Sequence, residues 1–260
     1  MNKIMRMFIR SAFALLISMP VSYVMATDEP TQDAATQAQI KKEEKNPIRA
    51  IRPLPLTDGI MAVLSKEGKT TFASAPNARF AFKGVIYDSW TRKTITTLEQ
   101  VNEAYLVPME VTGIKIEDLA LFSIGNPDKP KMGTIFVDPV AKSSQDYLKS
   151  IVAESDKYNF DVVMLATSSK GSVARFKRLW CSSNKAVALG DLILGGEKSY
   201  EYPSVKDCDV DAMIRTGIAQ QILNIKVTPY TIRADGLMYN GTPKNLDEWL
   251  QYDIHAQEKK

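Results

Sequence analysis

Residues 133–166 carry the pattern that most restricts the fold. The apolar run Gly133-Thr134-Ile135-Phe136-Val137 is followed by a stretch that places Tyr147, Leu148, Ile151 and Val152 on one helical face. Next comes the second run, Phe160-Asp161-Val162-Val163-Met164-Leu165-Ala166. Two apolar segments of strand length separated by an amphipathic helix make a βαβ unit, with parallel strands joined by a right-handed crossover. Beyond it, helices are expected over about 171–182, 184–194 and 209–225. The last has Val210, Met213, Ile214, Ile218, Ile222 and Ile225 at 3.6-residue spacing, the apolar face of an amphipathic helix. Strands at Tyr230–Arg233 and Leu237–Tyr239 flank the turn Ala234-Asp235-Gly236, and a helix over Pro243–Tyr252 follows. No internal repeat is present.

Upstream, alternation shortens. Ile60–Leu64, Thr70–Ala73 and Arg79–Tyr87 read as strands separated by Lys66-Glu67-Gly68-Lys69 and Ala75-Pro76-Asn77-Ala78, which are turn signals. This gives a small antiparallel β module at 57–97. So little sheet makes a poor independent core, so the module must either pack on a neighbour or pair with a copy of itself through an edge strand. A linker helix over 98–110 follows, capped by Thr97 and ended by Pro108, and a further strand is expected around Leu119–Ile124. Before the module, Pro47–Leu56 holds three prolines with aliphatics alternating with arginines, an extended arm that either docks on a partner or packs on its own domain. From Thr27 to about Asn46 the chain is polar, and residues 27–56 together read as a disordered tether and Pro-rich arm.

The first 26 residues combine Lys3, Arg6 and Arg10 with an apolar stretch from Ala12 to Val24 and close on Val24-Met25-Ala26. This is the pattern of a secretory signal cleaved after Ala26, the alternative being an uncleaved anchor. No stable membrane insertion is expected after cleavage. Those three residues are the excess among 33 basic and 30 acidic ones, so the remainder of the chain is balanced. With no basic cluster interleaved with aromatics, nucleic acid is not expected as a partner. In an oxidising compartment, the two cysteines, Cys181 and Cys208, favour one structural disulfide worth about 3.5 kcal/mol by the chain-entropy model. The alternative is two unpaired buried thiols.

The element order β-α-β, inserted helices, then α-β-β-α is that of a thioredoxin fold, here over 111–260, in a chain of mixed α+β and α/β class. The junction of strand Thr134–Val140 with the helix after Ala141-Lys142-Ser143-Ser144 is the usual seat of a Cys-x-x-Cys pair, and both sulfurs are absent. Thr228-Pro229, before a strand, looks like the cis-proline loop that faces such a pair in that superfamily. Arg178-Leu179-Trp180-Cys181 with Asn184-Lys185-Ala186, Cys208-Asp209-Val210-Asp211 opening a helix, and the β module with its linker helix resemble the periplasmic disulfide isomerases of the DsbC/DsbG type. The resemblance spans about 57–255.

That resemblance implies a V-shaped homodimer joined through 57–97, with a cleft for unfolded chains and a buried disulfide between Cys181 and Cys208. It places the family's redox cysteines on Ala141 and Ser144, around Lys142 and Ser143. It also implies a peptide-binding surface of Ala141, Ser144, Thr228 and Pro229. Isomerisation requires a thiolate, which a serine cannot replace. A serine nucleophile would need a base, and the only histidine, His255, falls in the charged tail. Ser143 and Ser144 are therefore expected to cap the helix. No cofactor or metal is expected: Asp207, Asp209 and Asp211 stand at a helix start as dipole partners, and no glycine-rich phosphate loop appears. The expected protein is a periplasmic homodimer without redox activity that binds polypeptides as a chaperone or assembly factor, with a secretion or conjugation apparatus as its candidate context. A dedicated structural subunit of an envelope complex, binding one folded partner and no clients, is the alternative, and an isomerase working through Cys181 and Cys208 is a third reading.

Overall fold

The structure, a computed structural model, describes residues 48–82, 84–196 and 203–254. The expected signal, its cleavage point and the tether up to Pro47 lie outside these residues, as does His255.

The N-terminal part is a four-stranded antiparallel sheet in the order β1 (Ile48–Pro53), β2 (Ile60–Ser65), β3 (Thr70–Ser74), β4 (Ala81–Phe82). The proline-rich arm thus belongs to the sheet. Its residues 48–53 pair along β2, and Pro53 stands in this edge strand, where a missing N–H costs no ladder bond. The sheet therefore starts nine residues before position 57. The single strand expected over Arg79–Tyr87 is split as well. Gly84, at φ +143°, separates β4 from β5 (Ile86–Asp88), which pairs instead with β6 (Lys93–Ile95) in a hairpin of its own. The Asp88 carboxylate closes that hairpin by accepting the Trp90 and Thr91 N–H groups.

Helix α1 (Leu98–Glu103) is shorter than expected. Thr97 caps it in a reciprocal box with Gln100, but it ends before Ala104, and Pro108 opens a separate turn, α2 (Met109–Thr112), in place of a continuous helix to 110. Leu54, Ala62, Phe72, Ile95 and Val101 form the module's small core. That core is supplemented from outside. Leu56 and Trp90 pack on the second domain's core, the Tyr105 hydroxyl donates to Pro53 O at 3.0 Å, and Lys226 pairs with Asp58.

The second domain is built on a five-stranded sheet in the order β11-β10-β8-β9-β7. Its strands are β7 (Leu121–Gly125), β8 (Gly133–Val137), β9 (Asn159–Met164), β10 (Tyr230–Arg233) and β11 (Met238–Asn240). β8 and β9 are parallel, linked by α3 (Lys142–Ala153), whereas β10 runs antiparallel to β8 and β7 antiparallel to β9. This is the thioredoxin-like arrangement, and it explains the unbroken apolar strands: both faces of the sheet are covered. Ile135 and Val137 of β8 face one core with Leu148, Ile151, Phe176 and Leu192, and Phe136 faces the other with Leu223, Tyr230 and Ile232.

Between β9 and β10 lie the inserted helices α4 (Ser172–Trp180), α5 (Lys185–Leu194) and α6 (Val210–Ile222). α6 reverses the expected facing. Its buried residues are Ala212, Thr216 and Ala219, while Val210, Ile214, Ile218 and Ile222 are exposed. Two alanines allow the helix close to the sheet, and the Thr216 hydroxyl accepts the Ala120 N–H at 3.0 Å while donating to Ala212 O at 2.8 Å. A larger ridge of isoleucines could not approach so closely. The last helix, α7 (Leu246–Gln251), starts at the Asn245 cap, not at Pro243.

The β10–β11 turn meets the linker at a point that tolerates only glycine. Gly236 lies at φ +93°, its carbonyl accepts the Val107 N–H at 2.8 Å, and a β-carbon there would fall 2.3 Å from Val107 O. Gly236→Ala is expected to cost about 2–4 kcal/mol, from left-handed backbone strain and displacement of residues 105–107. The check is the urea midpoint, and an unchanged one would show that the linker is free to move away.

Candidate functional site

The site predicted from sequence is the turn between β8 and α3. β8 is buried along its whole length and delivers Asp138 and Pro139 to the top of the sheet. Ala141, in extended conformation, is the N-cap of α3 and makes no side-chain cap bond; it is half-buried. Lys142 and Ser143 are exposed. Lys142 donates to Asp146, and that bond holds the Asp146 carboxyl below the usual carboxylate range. Thr228-Pro229 is a cis peptide opposite the turn, and the Ser143 hydroxyl reaches across to donate to Thr228 O at 3.2 Å. Ala141, Lys142, Ser143 and Ser144 therefore stand at one helix start, with Thr228 and Pro229 facing it.

Neither serine caps the helix as expected. Ser143 is engaged with Thr228. Ser144 is buried, and its hydroxyl accepts the Asp138 N–H at 3.2 Å, which satisfies the end of the strand. A buried Ser144 is also no part of a surface that a peptide would touch, and Pro229 is buried too. The accessible part of the turn is Ala141, Lys142, Ser143, Thr228 and the exposed Val227.

Beneath the turn lies a buried carboxylate that sequence reading passed over. Asp138 accepts the Val140 N–H at 3.0 Å, the hydroxyl of Ser172, the first residue of α4, at 3.0 Å, and the hydroxyl of Thr167 in the loop after β9. The available signal was an acid ending an otherwise apolar strand. In the core under α3 the Tyr147 phenol is pushed up to about 12 by burial, and its hydroxyl accepts from Thr231 at 3.4 Å.

The insertion touches the same turn. Gly195 ends α5 at φ +79°, and a β-carbon there would run into the Gln145 side chain of α3. Arg175 fixes this end by donating to Asp191 O, the Asp191 carboxylate and Gly196 O at 2.9, 3.0 and 3.1 Å. Asp191 is almost fully buried, and this ion pair was also missed, because its partners sit sixteen residues apart on different helices.

Cys181 and Cys208 are joined by a disulfide, Cα atoms 5.2 Å apart, that ties the end of α4 to the residue before the α6 cap. Trp180 supports it, donating from Nε1 to Asp209 O at 2.8 Å, with Lys185 held over its ring. Asp209 caps α6 by accepting the Ala212 N–H at 2.9 Å and pairs with Arg215. Among the described residues, no group of three or more His, Cys, Asp or Glu side chains is placed to hold a metal ion. Among them, too, no helix is long and apolar enough to cross a membrane.

Fold and site together define a thioredoxin-like protein with alanine and serine at the strand-to-helix turn. No protein-family model matches the chain, and no curated protein matches it either. Among solved structures it is similar to a disulfide interchange protein from Neisseria gonorrhoeae, at 17% identity and TM-score 0.43, over 53% of this chain and 96% of that one. It is also similar to Helicobacter pylori DsbG, at 14% identity and TM-score 0.35, over 75% of this chain and 97% of that one. A periplasmic thioredoxin-like protein from Salmonella enterica serovar Typhimurium aligns at 19% identity and TM-score 0.39, over 63% and 99%.

Proposed function

We propose that this chain is an exported, periplasmic polypeptide-binding protein that works without thiol chemistry, as a chaperone or assembly factor in an envelope, secretion or conjugation apparatus. One observation carries the reading: the turn that faces Thr228-Pro229 holds Ala141 and Ser144, and the chain's two cysteines are bonded to each other. Exchange requires a thiolate attacking a disulfide sulfur, and this turn supplies none. What it does offer is a shallow, partly apolar surface of Ala141, Ser143, Val227 and Thr228, backed by the Asp138 bonds and tied across by the Ser143–Thr228 bond.

Export is supported by the charged, apolar and small-residue pattern of the first 26 residues. Pairing of two copies through the β module is supported by its small core, its two-residue edge strand β4, and the exposed Phe80, Phe82, Val85 and Tyr87 along that edge and the following hairpin. The protein is expected to suppress aggregation of an unfolded, cysteine-free client at near-stoichiometric ratio, followed by light scattering. A folded protein without that effect would overturn client binding and leave a subunit dedicated to one partner.

A further inference from the structure

Strand β11 is an outer strand of the five-stranded sheet, and its free edge is only partly covered. The linker begins to cover it. Val107 N–H donates to Gly236 O at 2.8 Å, Leu106 lies opposite Leu237 in an antiparallel bridge, and Met238 N–H donates to Tyr105 O at 3.3 Å. There the pairing stops, because Tyr105 N–H is already given to Asn102 O at 3.0 Å and the chain upstream is wound into α1. The bonds on the other side of the strand fix what is left over. Arg233 N–H donates to Leu237 O and Gly241 N–H to Pro229 O, both at 2.8 Å, so positions 237, 239 and 241 face β10. By the antiparallel alternation, the Met238 carbonyl and both backbone groups of Asn240 point outward.

Beside this edge is a cavity of about 540 Å³, within the ~300–1,000 Å³ of ligand sites. Tyr105, Met238, Tyr239, Pro243, Trp249 and Tyr252 give it a largely aromatic wall, with the Tyr239 and Trp249 rings edge to face at 5.8 Å. Its charged rim is Arg52, Lys244 and Glu248, all exposed. Arg52 donates to the neighbouring Ile51 O at 3.4 Å, and among the described residues neither it nor Lys244 is paired with a carboxylate.

We propose that an extended segment of another polypeptide adds to β11 as a further strand, continuing the line that the linker opens. An aromatic or long aliphatic side chain of that segment enters the cavity, and an acidic residue lies against Arg52 and Lys244. Main-chain bonds to Met238 O and Asn240 are available to any sequence, whereas cavity and rim select among sequences. A small apolar molecule would fill the cavity but leave those three backbone groups unmatched. The site is independent of the turn at 141–144, which lies at the end of β8, two strands further in. With three backbone groups and one anchored side chain, the contact is weak and reversible.

Fluorescence anisotropy of the intact protein with a labelled, C-terminally amidated peptide, Thr-Asp-Phe-Thr-Val-Asp, tests this. Saturable binding is expected by millimolar concentration. The peptide with Ala for Phe should bind about tenfold or more weakly. Of two copies methylated at alternate amide nitrogens, in the two possible phases, one should lose at least tenfold and the other should bind like the parent, because only one edge of an added strand pairs. Arg52→Glu combined with Lys244→Glu should also cost tenfold or more, with circular dichroism unchanged, since both side chains are exposed. Val227→Asp, at the other site, should leave binding as it is. No binding at millimolar peptide, equal binding by both methylated copies, or insensitivity to the charge reversal would each overturn the proposal. So would loss with Val227→Asp, which would place the peptide at the turn. A mass that rises with protein concentration and falls as peptide is added would assign the edge to a second copy. Tenfold tighter binding after deletion of residues 255–260 would assign it to the chain's own tail, and either result would overturn it as well.

Discussion

Cysteines placed together at positions 141 and 144 are expected to give this chain a dithiol that closes to a disulfide and, when reduced, cleaves insulin disulfides well above background. The argument rests on what the turn retains. Position 141 is the N-cap of α3, half-open to solvent, with the first-turn N–H groups of the helix converging on it. A thiol at a helix N-terminus has its pKa lowered from about 8.5 to about 3.5–7.5, raising the thiolate fraction at pH 7 from about 3% to about a quarter or more. Position 144 lies one turn on and is buried, so its sulfur is shielded until the first has been attacked. The cis Thr228-Pro229 loop already contacts this turn through Ser143.

Two single variants separate the contributions. Ala141→Cys should react with a thiol reagent at pH 7 about threefold faster than an ordinary exposed cysteine, the gain in thiolate fraction being partly offset by the lower nucleophilicity of a more acidic thiol, and Ser144→Cys far more slowly than either. The native disulfide supplies the control, because Cys181 and Cys208 are present in every variant. If the double variant forms no second disulfide under oxidising conditions, the turn has lost the geometry of a redox site along with its sulfurs. Insulin cleavage by the unmodified chain, abolished by Cys181→Ala, would instead revive chemistry at the native pair.

How much of this was legible in the sequence depended on where each signal lay. β8 and β9 could be read because a strand covered on both faces has no polar alternation to confuse with a loop, and the α3 face because only one side of that helix is apolar. α6 misled for a physical reason. Val210, Ile214, Ile218 and Ile222 share a period with Ala212, Thr216, Ala219 and Leu223, and hydrophobicity alone selects the first set. The sheet selects the second, since alanines permit close approach and the Thr216 hydroxyl finds Ala120 N. The Arg79–Tyr87 run looked continuous because nothing short of backbone conformation reveals that Gly84 turns the chain out of one sheet and into another. The candidate turn was legible in outline, residues 141–144 opposite 228–229. Its support was not, because the hydroxyls bonded to Asp138 come from residues 29 and 34 positions away, joined only by the βαβ crossover.

That support should make Asp138→Ala one of the most damaging single substitutions in the chain, lowering stability by about 3–5 kcal/mol. Asp138 is 2% exposed and accepts from Val140 N–H, Thr167 and Ser172, while its own N–H is satisfied by Ser144. Truncation removes the acceptor from three donors at once. Each donor left buried without a partner costs about 1–3 kcal/mol, reduced where water can enter the space vacated. Ser172 has no such relief toward solvent, being fully buried; its hydroxyl still accepts the Thr167 N–H, and the acceptor left to it is Leu165 O at 3.4 Å. Asp138→Asn separates charge from shape: its amide oxygen can still accept, but its NH₂ faces hydroxyls that now have to turn and accept in their place. It should therefore cost less than the alanine variant. Ser144→Ala should cost only about 1 kcal/mol, because it releases the Asp138 N–H and nothing else. Urea midpoints of the three variants test the order. If Asp138→Ala proves no worse than Ser144→Ala, the carboxylate does not hold β8, β9 and α4 together, and the rigidity of the turn must come from the apolar packing beneath it.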